Sequence, residues 1–185
     1  MKAKTGMTED KMALLIGSGV FLIALLNIFH MDLLGWVIKS NTWVSLSQVF
    51  SASTAAYKGL PGIASLLLTY VVVTGVLALA IKGLGGNVGK FVTAFTFVFF
   101  VSYLFFALGN YAQIAATPDK LKSFNIPWSL GLTGEAGFIL ALLAGIFVGN
   151  FMPGLAESIK EACRPEMFVK IAIVIMGSEL GVKAA

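Results

Sequence analysis

Residues 62–110 read GIASLLLTYVVVTGVLALAIKGLGGNVGKFVTAFTFVFFVSYLFFALGN and contain two long apolar segments separated by a glycine-rich octet. The segment has no Asp or Glu, and its basic residues, Lys82 and Lys90, stand beside the glycines. A bilayer core of ~30 Å needs about 20 apolar residues in a helix that rises ~1.5 Å per residue. The sequence therefore predicts two membrane-spanning helices, over residues 62–81 and 91–110, joined by a short turn.

The same criterion predicts three further spans, over residues 12–29, 130–151 and 167–183. No small-x-small cleavage site follows the first of these, so we expect it to remain as a membrane anchor and not to be removed as a signal peptide. All five prolines lie outside the spans or at the start of a helix, where a missing N–H costs least. We predict an all-α, polytopic membrane protein with five spans.

Composition excludes several classes of function. The chain has 185 residues, of which 58% are hydrophobic and 12% are charged, whereas soluble domains carry about 25% charged residues. Its 13 basic and 9 acidic residues are scattered, so no basic face suits nucleic acid. With one cysteine, Cys163, and one histidine, His30, the sequence offers no disulfide, metal cluster or haem-ligand pair. We expect no cofactor and no enzymatic activity.

Residues 40–57 are too polar to cross the membrane and too apolar for a free loop. Four apolar residues recur there at helical spacing: Trp43, Leu46, Val49 and Phe50. Ser40 or Asn41 is suited to cap such a helix, and Trp36 and Trp43 suit the headgroup zone. The pattern predicts a short helix that lies on the outer, non-cytoplasmic surface of the membrane.

Basic residues are unequally divided between the two predicted sides of the membrane. One side has Lys2, Lys4, Lys11, Lys82, Lys90, Lys160 and Arg164, and the other has Lys39, Lys58, Lys120 and Lys122. By the positive-inside rule, residues 1–11 are predicted to be cytoplasmic.

The octet GLGGNVGK resembles a phosphate-binding loop at first sight. However, Leu84 stands where that motif requires its first glycine, and Phe91 replaces the Ser or Thr that would bind magnesium. We interpret the octet as a tight connection between two spans.

Four polar residues in the last two spans are candidates for a substrate or ion pathway: Glu135, Lys170, Glu179 and Asn150. Glu135 suits either the start of a helix, with Thr133 as a cap, or a glycine-rich backbone break that exposes N–H groups to an anion or coupling ion. Lys170 suits either a surface pair with Glu166 or a pathway position. Glu179 is predicted well inside the membrane, unless the helix ends near Gly177 or Gly181.

Two glycine pairs have the spacing of close helix packing, Gly145 with Gly149 and Gly177 with Gly181. Packing within the chain is one interpretation, and a face for a homo-oligomer or a partner membrane chain is the other.

From Trp128 onward the chain resembles the family described as sulfate exporters (YeiH-like), which are prokaryotic inner-membrane proteins. The specific matches are LTGEAGF, LLAGIFVGNF and RPEMFVKIAIVIMG, and GWVIKSNTWV and YAQIAATPDKLK are similar to the N-terminal parts of long members. The resemblance implies a secondary transporter with an inverted-repeat fold like that of bile-acid symporters and cation/proton antiporters. Members extend well beyond Ala185, so it also implies that this sequence corresponds to an N-terminal portion.

The resulting prediction has three regions: a cytoplasmic N-terminus (1–11), an N-terminal membrane region (12–129) and the start of a transporter core (130–185). We expect a bilayer-embedded secondary transporter, or part of one, that exports or exchanges a small anion such as sulfate or a sulfonate by alternating access, coupled to H+ or Na+. The alternative is a non-transporting membrane subunit that anchors a larger complex.

Overall fold

The computed structural model describes the backbone of residues 7–184 and the side chains of residues 7–177. Within this part of the chain, four helical segments are long and apolar enough to cross a membrane: Glu9–Phe29, Gly62–Gly83, Val88–Gly109 and Thr133–Phe151. Most of their surface is not covered by the protein itself, as expected of helices whose outer faces contact lipid. The all-α, polytopic class is confirmed, together with four of the predicted spans.

The described helices follow one another as α1 (Glu9–Leu25, continued by a 3₁₀ turn to Phe29), α2 (Gly62–Gly83), α3 (Val88–Gly109), α4 (Ala112–Ala115), α5 (Leu121–Phe124), α6 (Ala136–Phe151), α7 (Pro153–Ile159) and α8 (Pro165–Ala184). The helix α8 coincides with the predicted span over residues 167–183. Because the side chains of residues 178–184 lie outside the described part, that fifth span stays a prediction.

The turn between α2 and α3 forms as the glycine-rich octet predicts. Gly85 adopts a φ of +77°, which glycine tolerates without strain. The Asn87 side chain accepts a hydrogen bond from the Lys90 N–H at 3.0 Å and thereby caps α3. The octet forms a tight turn that joins α2 to α3, which confirms its interpretation as a tight connection between two spans.

The hydrophobic core lies beside this turn, where the starts of α1, α3 and α8 meet the end of α2. Its buried members are Ala13, Leu77, Ile81, Phe91, Ala94, Phe95, Phe99, Ala162 and Met167. The rings of Phe91 and Phe95 stack at 5.4 Å. Gly17 lets α8 approach α1, because a Cβ at Gly17 would lie 2.7 Å from the Val174 Cβ. We call this end of the molecule the turn side.

At the opposite end, residues 38–52 form a small antiparallel hairpin and not the predicted interfacial helix over 40–57. The strand β1 (Ile38–Ser40) pairs with β2 (Phe50–Ala52), and a 3₁₀ turn, Leu46–Gln48, lies between them. Serine and asparagine side chains compete for backbone hydrogen bonds, which disfavours a helix interior. The Asn41 amide accordingly does not cap a helix; it donates to the Ser51 hydroxyl at 3.0 Å and closes the hairpin. We call this end the hairpin side.

Buried hydrogen bonds fix the hairpin to the spans. The Ile38 N–H donates to the Thr69 hydroxyl of α2 at 3.0 Å, and that hydroxyl donates to the Ser65 carbonyl at 2.7 Å. The Trp43 indole donates to the Ala107 carbonyl of α3 at 2.7 Å, so this ring is held by protein. The hairpin is therefore a fixed cap on α2 and α3.

Candidate functional site: the polar turn at the start of α6

Helices α3 and α6 cross at the hairpin side with their backbones in contact. A Cβ at Gly109 would overlap the backbone N and Cα of Gly137 and lie 2.9 Å from the carbonyl carbon of Ala136. A Cβ at Gly137 would lie 3.0 Å from the Phe106 Cα. Small residues are thus required at this crossing, as in other membrane helix pairs.

Asn110 lies directly behind this crossing and is 6% exposed. Its side-chain amide donates to the Phe106 carbonyl at 2.8 Å, and its backbone carbonyl accepts from the Trp43 N–H at 3.1 Å. Its side-chain oxygen lies near the backbone of Gly134, at 3.4 Å from where a Cβ would stand. A buried amide therefore borders the turn that starts α6.

The predicted span over residues 130–151 is not α-helical over its whole length. The span predicted to begin at residue 130 becomes an α-helix at Ala136, because Gly131 and Thr133 adopt left-handed φ values of +68° and +54°. Thr133 to Glu135 form a 3₁₀ turn, and the Thr133 hydroxyl donates to the Leu132 carbonyl at 2.7 Å. Thr133 therefore does not cap α6.

The backbone before the turn is hydrogen-bonded although it is irregular. The Leu130 N–H donates to the Gln113 carbonyl and the Leu132 N–H to the Ile114 carbonyl, each at 2.9 Å. Non-helical backbone at membrane depth needs such partners or water. The helix α4 supplies them and supports the segment from beside α3.

Helix length places Glu135 close to the membrane boundary. The 16 residues of α6 cover about 24 Å of a ~30 Å hydrocarbon core, and the preceding 3₁₀ turn covers about 6 Å. A helix of this length that has Phe151 at one boundary of the hydrocarbon core has Glu135 near the other boundary. The Glu135 side chain is exposed, and so are those of Leu132 and Phe138, three residues away on either side in the sequence.

Lys170 lies at the other end of the molecule. Its ammonium group is 2.5 Å from the Asp10 carboxylate of α1 and 3.8 Å from the Glu166 carboxylate, which confirms the predicted partner. Arg164 binds Glu9 of α1 at 2.6 Å, a pair that sequence reasoning missed. Glu135 and Lys170 are thus not brought together, and α8 is tied to α1 on the turn side.

Asn150 is exposed near the end of α6, and its amide donates to the Ile146 carbonyl of its own helix at 2.7 Å. Nothing in the described part of the chain lies within 4 Å of a Cβ built at Gly145, Gly149 or Gly177. For the first pair, this contradicts the interpretation that the glycines pack within the described chain. The side chain of Glu179 and the surroundings of Gly181 lie outside the described residues.

Glycines at close contacts between helices include Gly17, Gly83, Gly109 and Gly137, and none of these four forms a spaced pair with another. Among the described residues, no group of three His, Cys, Asp or Glu side chains is placed to hold a metal ion.

The chain is 32% identical over 179 residues to a UPF0324 membrane protein of Nitrosomonas europaea. The match covers 95% of this chain and 36% of the relative, so the chain spans about a third of the length of the curated relative that it matches. No family model matches the chain, and no solved structure matches it. The similarity supports the conclusion that this chain is a membrane protein, and the resemblance to sulfate exporters stays a prediction.

Proposed function

We propose that this chain, alone or within a longer polypeptide, is a secondary transporter that exports or exchanges a small anion such as sulfate or a sulfonate by alternating access. The observation that carries the proposal is the interrupted start of α6. A left-handed, glycine-containing segment precedes the exposed Glu135, and the buried Asn110 lies near Gly134 of the same turn. Interrupted helices form the substrate and ion sites of many transporters, and this motivates assigning the site to the turn before α6.

In this proposal Glu135 is the coupling residue. Glu179 and Asn150 are further candidates for the pathway. The proposal also places the protein in the inner membrane of a prokaryote with a cytoplasmic N-terminus, which puts the turn side on the inside. It includes no enzymatic step.

Lys170 has a positioning role in the proposal and not a binding role. Its ion pairs with Asp10 and Glu166 neutralise the positive charge that would otherwise attract an anion. We expect them to hold α8 against α1 while other helices move.

The test is anion flux into proteoliposomes that contain the longest polypeptide carrying this sequence. Glu135→Gln keeps the size of the side chain and removes its charge. Glu157→Gln is the matched control, because Glu157 is an exposed glutamate on α7 whose partner is Lys160 at 3.5 Å. We expect Glu135→Gln to lower flux of labelled sulfate or propane-1-sulfonate at least 10-fold and Glu157→Gln to leave it unchanged. Equal flux in both variants would remove Glu135 from the pathway.

The alternative function, a non-transporting subunit that anchors a larger complex, is favoured by the unpacked glycine face of α6. Gly145 and Gly149 leave a flat strip on a helix whose exposed neighbours include Leu142 and Ile146. Gly145→Leu would disturb a protein partner there but not lipid contact. Loss of a co-purifying membrane chain in this variant, with no flux in the wild type, would favour the subunit.

A further inference from the structure

A basin on the hairpin side is lined by two lysines that have no ion-pair partner in the described part of the chain, Lys39 of β1 and Lys58 before α2. Its volume is about 430 Å³, within the range of small-molecule sites. None of the described residues that line the basin is acidic. The lysine charges are therefore uncompensated by the walls around them.

The polar lining continues between the two lysines. Ser51 and Ser53 of the β2 region carry hydroxyl groups, and the Ser51 hydroxyl already accepts from Asn41, so its own proton is available to a ligand. Pro61 and Gly62 line the same basin, and no side chain caps the start of the 22-residue helix α2 there. The hydroxyl protons and the uncapped start of α2 favour negative charge.

The rest of the lining is apolar. Phe50, Ala52, Ala55, Leu60 and Pro61 contribute carbon surface to the wall. Such an apolar wall does not stabilise a bare inorganic anion, because water solvates the charge of that anion better. An anionic group attached to a short apolar part fits both kinds of lining.

The basin is fixed before any ligand arrives. Thr54 donates to the Asp32 carboxylate at 2.5 Å, and the Tyr57 hydroxyl donates to the Asp32 carbonyl at 2.8 Å. Asp32 is thus held behind the wall by Thr54, and it lines a separate cavity. The β1–β2 ladder and the bond from Ile38 to Thr69 hold the other wall. A preorganised site loses less entropy on binding.

We propose that this basin binds a small amphiphilic anion, with one sulfonate, carboxylate or phosphate group held by Lys39 and Lys58 and a short apolar part against Phe50 and Leu60. The inference rests on the proposed function in that it narrows the transported anion to this class. The same chemistry is present in an anionic lipid headgroup, so the test separates the two sources.

The test measures the binding of propane-1-sulfonate to the full chain in phosphatidylcholine nanodiscs, with saturation-transfer NMR as the readout. We expect saturable binding that Lys39→Gln and Lys58→Gln each weaken about 3- to 10-fold, as for a partly exposed charge-assisted contact. Lys39→Arg and Lys58→Arg should keep most of the affinity. Lys120→Gln and Lys122→Gln, each tested singly, are the controls, because each removes the same single charge from the hairpin side without touching the basin.

Two competitors identify the ligand class and its source. Inorganic sulfate should displace propane-1-sulfonate at least 10-fold less well; equal displacement would overturn the apolar contribution. Phosphatidylglycerol in the nanodisc that displaces the probe from wild type would assign the basin to a lipid headgroup. No displacement would assign it to a soluble anion. Absence of saturable binding, or equal binding in the Lys→Gln and control variants, would overturn the proposal.

Flux separates this inference from the proposed function. Anion flux without propane-1-sulfonate binding would refute the basin and leave the transporter. Lysine-dependent binding without any flux would support the basin and refute the transporter.

Discussion

Gly109→Ala should destabilise the protein because it forces α3 and α6 apart. The added Cβ would overlap backbone atoms of Gly137 and stand 2.9 Å from the Ala136 carbonyl carbon, whereas ordinary contact begins at 3.4 Å. Backbone cannot move aside as a side-chain tip can, so the helices must separate by about 1 Å, which forfeits about half of the dispersion attraction between the facing atoms. Overpacking of this kind costs about 1–3 kcal/mol.

Helix propensity opposes this cost only weakly. Alanine is favoured over glycine by about 1 kcal/mol in a helix interior, but Gly109 is the last residue of α3, where the gain is smaller. We therefore expect a net loss of about 1–2 kcal/mol, which lowers the midpoint of thermal unfolding in detergent by about 2–8 °C for a chain of this size.

Gly145→Ala is the matched control, because Gly145 lies inside α6 and nothing in the described chain lies within 4 Å of its Cβ position. This variant should be as stable as wild type or more stable. Thermal unfolding followed by circular dichroism measures both. If Gly109→Ala and Gly145→Ala unfold at the same temperature, the close crossing of α3 and α6 is refuted.

Two further predictions concern the ties between distant segments. Thr69→Val leaves the buried Ile38 N–H without its acceptor and should cost about 1–3 kcal/mol, seen as faster proteolytic cleavage within the hairpin; an unchanged cleavage rate would contradict this anchor. Arg164→Gln removes the pair with Glu9 and should cost about 0.5–1 kcal/mol at low salt, since both side chains are partly exposed. The difference in unfolding temperature should shrink at ~1 M salt, and a salt-independent difference would show that the charge is not the cause.

Sequence predicted the spans well because lipid imposes a length and a composition that a single segment must satisfy alone. The prolines added independent support, since Pro61 and Pro165 stand at the starts of α2 and α8. The hairpin is not predictable from the spacing of its few apolar residues, because its serine side chains compete for the backbone hydrogen bonds of a helix. Leu46, part of that spacing, is 80% exposed, and Val49 of the same set is buried.

The candidate site was predictable only in part. The motif around Glu135 indicated a helix start or a backbone break, and the structure combines a left-handed segment with a 3₁₀ turn. The contact between Gly109 and Gly137, and the pair formed by Glu9 and Arg164, join residues far apart in the chain. No local pattern encodes such contacts, because they depend on how the helices assemble.

The most direct test of the account is anion flux itself. Liposomes that contain the longest purified polypeptide carrying this sequence should take up labelled propane-1-sulfonate or sulfate. Protein-free liposomes give the background uptake. We predict saturable, protein-dependent uptake that a trapped anion inside the vesicles accelerates by exchange. Uptake equal to that of protein-free liposomes, from protein that remains folded by circular dichroism, would contradict the transporter.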